Sequence, residues 1–172
     1  GTTSAATLLT GTTAQLNGSA NPGGDATDGW YRYSTTSPGA CNDTFGTRAP
    51  IAGGTALGSG TTSVAYSVGI TGLMPGTTYY YCAIASNSGG TGLGALVTFI
   101  TPAAPTAITS PATLIAATTA TLNGSGNPNR AATTGYYRYS STDPGACNDS
   151  FGSRAPVAGG TALASSAPKR TT

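Results

Sequence analysis

The stretch that decides the fold is Leu73-Met-Pro-Gly-Thr-Thr-Tyr79, which runs on into Tyr80-Tyr-Cys-Ala83. Adjacent proline and glycine mark a turn, because proline presets φ and glycine accepts conformations closed to other residues. On either side lie runs rich in β-branched and aromatic residues, 64–70 before the turn and 79–86 after it, both of strand length. Further out the same alternation of short β-type runs and turn signals recurs. Strands are predicted at 7–9, 13–17 (closed by Asn17-Gly18 and by Asn21-Pro22-Gly23-Gly24), 30–34 and 93–100, with a weak edge strand at 51–57. No segment carries a helical period, so the chain reads as all-β.

The second organising feature is self-similarity at a fixed offset of 106 residues. Asn17-Gly-Ser-Ala-Asn-Pro22 falls on Asn123-Gly-Ser-Gly-Asn-Pro128, and Tyr31-Arg-Tyr-Ser34 on Tyr137-Arg-Tyr-Ser140. Pro38-Gly-Ala-Cys-Asn-Asp43 falls on Pro144-Gly-Ala-Cys-Asn-Asp149, and Arg48-Ala-Pro50 on Arg154-Ala-Pro156. Residues 1–59 align without a gap, with roughly two-thirds of the pairs identical, which points to a recent duplication. The correspondence stops near Ser59 and Ser165, and nothing matches 64–101 a second time. The expected organisation is a first domain over 1–101, a proline-bearing linker over 102–106 that favours an extended connection, and a partial second domain over 107–172.

Composition narrows the function classes. Charged residues make up 7% of the chain, there is no His, and net charge is +2. The scattered Arg residues form no basic stripe for nucleic acid. No apolar run is long enough to span a bilayer as a helix. Nine Tyr, mostly clustered among period-2 neighbours, argue against disorder. Gly1 is not an initiator Met, so the chain is expected to be a mature product or a piece of something longer.

The motif at 73–79 resembles the corner before strand F of fibronectin type III domains, which read Leu-x-Pro-Gly-Thr-x-Tyr. Thr13-Ala-Gln-Leu-Asn-Gly-Ser-Ala-Asn-Pro22, its copy Thr119-Ala-Thr-Leu-Asn-Gly-Ser-Gly-Asn-Pro128, and Ala83-Ile-Ala-Ser-Asn-Ser88 resemble other strands of the bacterial branch of that family. The resemblance implies an immunoglobulin-like β-sandwich in tandem repeats of 106 residues, the second copy holding strands A to C′ only. It departs in one respect: the family's usual Trp lies in strand B, whereas Trp30 lies in the predicted strand C.

The resemblance also implies a structural corner of Leu73, Pro75 and Tyr79, with the Tyr79 hydroxyl bonded to backbone of the turn. Alternation then puts Tyr79, Tyr81, Ala83 and Ala85 inside and Tyr80 and Cys82 outside, with Tyr31 and Tyr33 inside and Trp30 and Arg32 outside. Trp30, Arg32 and Tyr80, with Tyr136 and Arg138 in the second copy, are therefore the candidate surface-contact residues. The favoured reading of this cluster is a cross-strand ladder that stiffens the sheet; the alternative is a surface for sugar or peptide.

Strands C and F are neighbours in this fold, so Cys41 and Cys82 are the expected disulfide, pinning the glycine-rich loop that follows strand C. Cys147 matches Cys41, and its partner would fall in the missing third of copy two; it is expected to be unpaired or bonded to another chain.

Chemistry is not expected. Nucleophilic triads and zinc sites draw on His, which is absent, and the Asp residues sit in turns. Calcium at Asp25 and Asp28 is weakly supported, since copy two carries Ala131 and Thr134 there. An isopeptide bond would need a buried Lys, and Lys169 in the tail is the only Lys. Asn17, Asn42, Asn123 and Asn148 fit the N-glycosylation pattern, with turn chemistry as the favoured explanation. The expected function is a non-catalytic, secreted structural or adhesive repeat module of a bacterial cell-surface array or filament, without cofactor or metal, that associates with identical chains or neighbouring repeats. The alternative is a spacer or glycan-binding accessory module of a secreted polysaccharide-degrading enzyme.

Overall fold

The computed structural model describes residues 1–164 and divides into two compact units, Gly1–Ala103 and Ala104–Thr172. The calls on Lys169 and the end of the second copy lie outside the described residues. Strands account for all the regular structure described, and no helix among these residues could cross a membrane.

Unit 1 contains β1 (Thr2–Thr7), β2 (Thr13–Ala20), β3 (Thr27–Ser34), β4 (Thr47–Ala49), β5 (Thr55–Gly58), β6 (Val64–Thr71), β7 (Thr78–Asn87), β8 (Gly90–Leu93) and β9 (Val97–Ile100). One antiparallel sheet runs β1-β2-β6. The other is centred on β3 and β7: β4 and β5 pair with β3, while β8 and β9 pair with β7. Alternation decides the facing. Along β2 every second residue is buried, Ala14, Leu16, Gly18 and Ala20, while Thr13, Gln15, Asn17 and Ser19 are half-exposed. Those inward residues meet Tyr66 and Ile70 from β6, and Tyr31, Tyr79, Tyr81, Ala83 and Phe99 from the other sheet, in one continuous core.

Tyrosine is used in this core because each buried hydroxyl finds a backbone partner, a carbonyl in three of four cases. Tyr31 donates to Tyr66 O (2.6 Å), Tyr66 donates to Ile84 O (2.9 Å), and Tyr81 donates to Ser4 O. Burial pushes the Tyr66 and Tyr81 hydroxyls up to about 12 and raises Tyr31 as well. Such bulky rings need room opposite them. A Cβ on Gly29 would lie 2.8 Å from the Tyr66 ring, and one on Gly18 would lie 2.7 Å from Thr2 O.

Two predicted boundaries are corrected. The first strand is Thr2–Thr7 rather than 7–9: Leu8 has φ 48°, is 75% exposed, and belongs to the connection that follows. Asn17-Gly18 lies in mid-strand rather than in a turn. The Asn17 amide reaches across a register shift in β1 and donates to Ala5 O (2.9 Å) and Thr7 Oγ1 (3.0 Å), replacing ladder bonds lost at the bulge. The edge region 51–57 and the last strand are each interrupted: Ile51 is exposed in a bend before β5, and 93–100 is split between β8 and β9.

Unit 2 contains β10 (Thr106–Thr113), β11 (Thr121–Asn127), β12 (Thr133–Gly135), β13 (Tyr137–Tyr139), β14 (Ser153–Ala155) and β15 (Thr161–Leu163). They form three two-stranded ladders, β10-β11, β12-β15 and β13-β14. The β10-β11 register (Ile108↔Ser125, Thr109↔Gly124, Ser110↔Asn123) is that of β1-β2 (Thr2↔Ser19, Thr3↔Gly18, Ser4↔Asn17) moved by 106 positions, and the bulge recurs between Ser110 and Thr113. The β13-β14 pairs repeat the β3-β4 pairs in the same way. Among the described residues nothing in unit 2 corresponds to β6, β7, β8 or β9, and Pro128 is its one buried residue.

Candidate functional site

The candidate surface residues converge on the outer face of the β3-β7 sheet. Residues 35–46, between β3 and β4, fold back over this face. Asn42 shapes the return: its Oδ1 accepts from the Thr44 amide (3.0 Å), the Thr44 hydroxyl (2.8 Å) and the Phe45 amide (3.0 Å), an Asx-type turn. Gly46 then takes φ 51°, where any Cβ would overlap Tyr33 O.

The loop delivers Cys41, Asp43 and Phe45 onto Trp30, Cys82 and Ile84, a second small apolar cluster separate from the main core. Cys41 and Cys82 form a disulfide with their Cα atoms 5.9 Å apart. Trp30 Nε1 donates to Asp43 Oδ1 (2.8 Å), and Arg32 Nε donates to the same oxygen (3.0 Å). The Arg48 guanidinium lies over the indole, its central carbon 4.5 Å from the ring centroid. Burial opposes ionisation of Asp43. The hydrogen bonds from Trp30 and Arg32 and the charges of Arg32 and Arg48 outweigh it and hold the carboxyl below its ordinary range.

This geometry corrects the expectation of an open aromatic surface. Trp30 does lie on the outer face but is only 9% exposed, because the loop and Arg48 cover it. Cys82 also faces outward yet is fully buried, for the same reason. The cation on the ring is Arg48, not Arg32, which is engaged with Asp43. Tyr80 is half-buried beside this cluster, opposite Ser34 and Thr98. Sequence reasoning missed Arg48, Asp43 and Phe45. The signal was available: each recurs at the 106-residue offset, as Arg154, Asp149 and Phe151.

At the corner, Leu73 is buried, Pro75 is exposed at the turn, and the Tyr79 hydroxyl accepts a hydrogen bond from the Met74 amide (3.0 Å). Thr101, fully buried, adds a second tie, donating to Met74 O (2.6 Å) and accepting from the Thr77 amide (3.0 Å). Asp25, weakly supported as a calcium ligand in the sequence, accepts from the Ser88 hydroxyl and from the Ala26 and Ser88 amides. Led by the Ser88 hydroxyl, these bonds lower its pKa. Asp28 is exposed, and no cluster of metal-ligating side chains occurs among the described residues.

In unit 2 the loop cluster is rebuilt without its floor. Arg154 lies over Tyr136, 3.9 Å from the ring centroid, Arg138 Nε donates to Asp149 Oδ1 (3.2 Å), and Asn148 Oδ1 accepts from the Ser150 amide (2.9 Å) and hydroxyl (2.7 Å). Tyr136 is 37% exposed, and Cys147 is free and exposed. The inner side of the unit is an open groove of about 330 Å³, walled by Ile108, Gly124, Gly126, Gly135, Tyr137 and Leu163 among others.

No protein-family model matches the chain, and no curated protein matches it. Among solved structures it is similar to the sensor domain of the anti-sigma factor RsgI4 in Pseudobacteroides cellulosolvens. The short form of that domain matches at 19% identity and TM-score 0.39 over 59% of this chain and 92% of that one. The long form matches at 21% identity and TM-score 0.39 over 67% and 96%. Scores at this level transfer neither fold type nor function.

Proposed function

We propose that the chain is a non-catalytic, extracellular structural repeat module of the fibronectin type III kind, one and two-thirds copies of a tandem array whose outer surfaces serve adhesion or assembly. The observation that carries this reading is the repetition of strand registers, loop turns and the arginine-on-ring contact at a constant offset in both units. Repetition that extends to an outer-surface loop suits a module used by stacking, where neighbouring copies present the same face. The two-sheet division, β1-β2-β6 against a sheet centred on β3 and β7, and the Tyr79–Met74 bond support the family assignment. The Cys41–Cys82 disulfide suits an oxidising compartment. Low charge leaves little repulsion between copies packed side by side.

Sedimentation velocity and negative-stain electron microscopy over a concentration series test the proposal. Ordered oligomers or filaments are expected, and dispersed monomers at every concentration and ionic strength would overturn it.

A further inference from the structure

We infer that β6 is a homotypic pairing edge: two copies of this chain join antiparallel through β6, fusing their β1-β2-β6 layers into one continuous sheet. The inference deepens the assembly reading above by naming the surface, and its test separates the two.

A strand at the border of a sheet presents a row of unpaired backbone donors and acceptors. Folded proteins ordinarily blunt such borders with short strands, bulges, proline or charge. Unit 1 blunts its other borders. β1 carries a bulge between Ser4 and Thr7, and the facing layer engages it: Tyr81 donates to Ser4 O, and the Ala83 amide donates to Thr3 Oγ1. β4 has three residues and is followed by Pro50, while β5, β8 and β9 have four residues each.

Strand β6 has none of these devices. Its eight residues, Val64-Ala-Tyr-Ser-Val-Gly-Ile-Thr71, hold neither charge nor proline. They pair with β2 in unbroken register from Thr13↔Thr71 to Ala20↔Val64, and among the described residues β2 is their one ladder partner. Every second residue of a strand with a single neighbour turns its N–H and C=O away from that neighbour. Outside the ladder, the backbone of 64–71 takes part in one hydrogen bond among the described residues, from the Tyr31 hydroxyl to Tyr66 O.

The side chains suit a second copy as the occupant. On the outer face Ala65, Ser67, Gly69 and Thr71 are small, uncharged and exposed, and a Cβ added at Gly69 meets nothing within 4 Å. On the inner face Tyr66 and Ile70 are buried, whereas Val64 and Val68 stay half-buried at the border of the core. In a two-fold antiparallel pair centred on Ser67 or on Val68, opposite residues share a face. Small residues then meet small residues outside, and Val68 meets Tyr66 or its own copy inside. No like charges oppose the contact, because β1, β2 and β6 carry no charged residue at all.

The test uses the full chain carrying Cys147→Ser, which removes the exposed free thiol. Sedimentation velocity should show a dimer, and amide exchange should slow on alternate residues of 64–71 as concentration rises. Ala65→Lys combined with Gly69→Lys places like charges opposite or diagonal to one another across the pair. It should weaken dimerisation about tenfold or more without lowering the melting temperature of the dilute chain. Mixing it with Ala65→Glu combined with Gly69→Glu should restore the dimer. Protection confined to other strands, a dimer that tolerates the lysines, or monomers at every concentration would each overturn the inference. Filaments that persist in the lysine variant would sink the β6 edge and leave the array standing, whereas β6-paired dimers that never grow further would do the reverse.

Discussion

The Arg48 guanidinium sits 4.5 Å from the centroid of the Trp30 ring, and the same indole donates its N–H to Asp43. The ring is thus held from its face by a cation and at its edge by a carboxylate. This arrangement turns a residue that would be exposed on an outer sheet face into the centre of a second core.

Removing the cation should loosen that core without unfolding the domain. Arg48→Ala is expected to cost about 1 kcal/mol, the usual scale of a partly desolvated cation–π pair. For a domain of this size that lowers the melting temperature by roughly 4–8 °C. Differential scanning calorimetry of the variant checks it, and red-shifted Trp30 emission should accompany the change. A melting point equal to the parent's would show that the contact adds nothing.

The disulfide closes a sequence separation of 41 residues. Constraint of the unfolded chain by a loop of that length contributes very roughly 4 kcal/mol. Cys41→Ala combined with Cys82→Ala should therefore shift urea unfolding strongly, and reductant should have no additional effect on the double variant. A midpoint within error of the oxidised parent would refute the estimate.

Acid should weaken the loop cluster. The Asp43 pKa is depressed, so the stability it contributes is present above the unfolded carboxylate range and is lost as pH falls through the lower folded value. In Asp43→Asn that part of the acid dependence should disappear. The comparison of interest is unfolding midpoint against pH between 2 and about 6.

At the alkaline end the sign reverses. Tyr66 and Tyr81 are raised to about 12, so their contribution is intact below the ordinary tyrosine value and is lost as pH climbs through the folded one. Absorbance titration near 295 nm should show these two ionising late, together with unfolding. Tyr66→Phe should remove one late step and, by leaving Ile84 O without its donor, cost about 1–3 kcal/mol.

Gly29→Ala and Gly135→Ala offer a matched pair. The first forces a Cβ against the Tyr66 ring and is expected to destabilise unit 1 by about 1–3 kcal/mol, the usual cost of overpacking. The second makes only ordinary van der Waals contact, with Leu163 at 3.7 Å, and should be near neutral. Parallel thermal melts decide it, and equal losses would contradict the geometry.

The strand content and the inward tyrosines were legible in the sequence because period-2 alternation survives wherever one face is buried. That rule gave the correct faces for Tyr31, Tyr79 and Tyr81. It gave the correct face for Trp30 and Cys82 too, yet misjudged their exposure. Alternation says which side a residue points to and nothing about what a long loop later lays over it. Asn17-Gly18 misled for a related reason: the pair has turn chemistry, but tertiary contact required glycine at 18 and the bulge required an amide at 17. Leu8-Leu9 looked like strand and is a connection, because hydrophobicity alone does not place a residue on a ladder.

The three core tyrosine hydroxyls tie particular rungs of one layer to particular rungs of the other: Tyr31 to Tyr66 O, Tyr66 to Ile84 O, and Tyr81 to Ser4 O. A wholly hydrocarbon core would let two sheets slide over each other through many similar packings. Here a slip by a single rung breaks all three bonds together, so the alignment of the layers is discrete. The unit behaves as a keyed pair of plates, and whatever its outer faces present is presented at a fixed offset from one layer to the other.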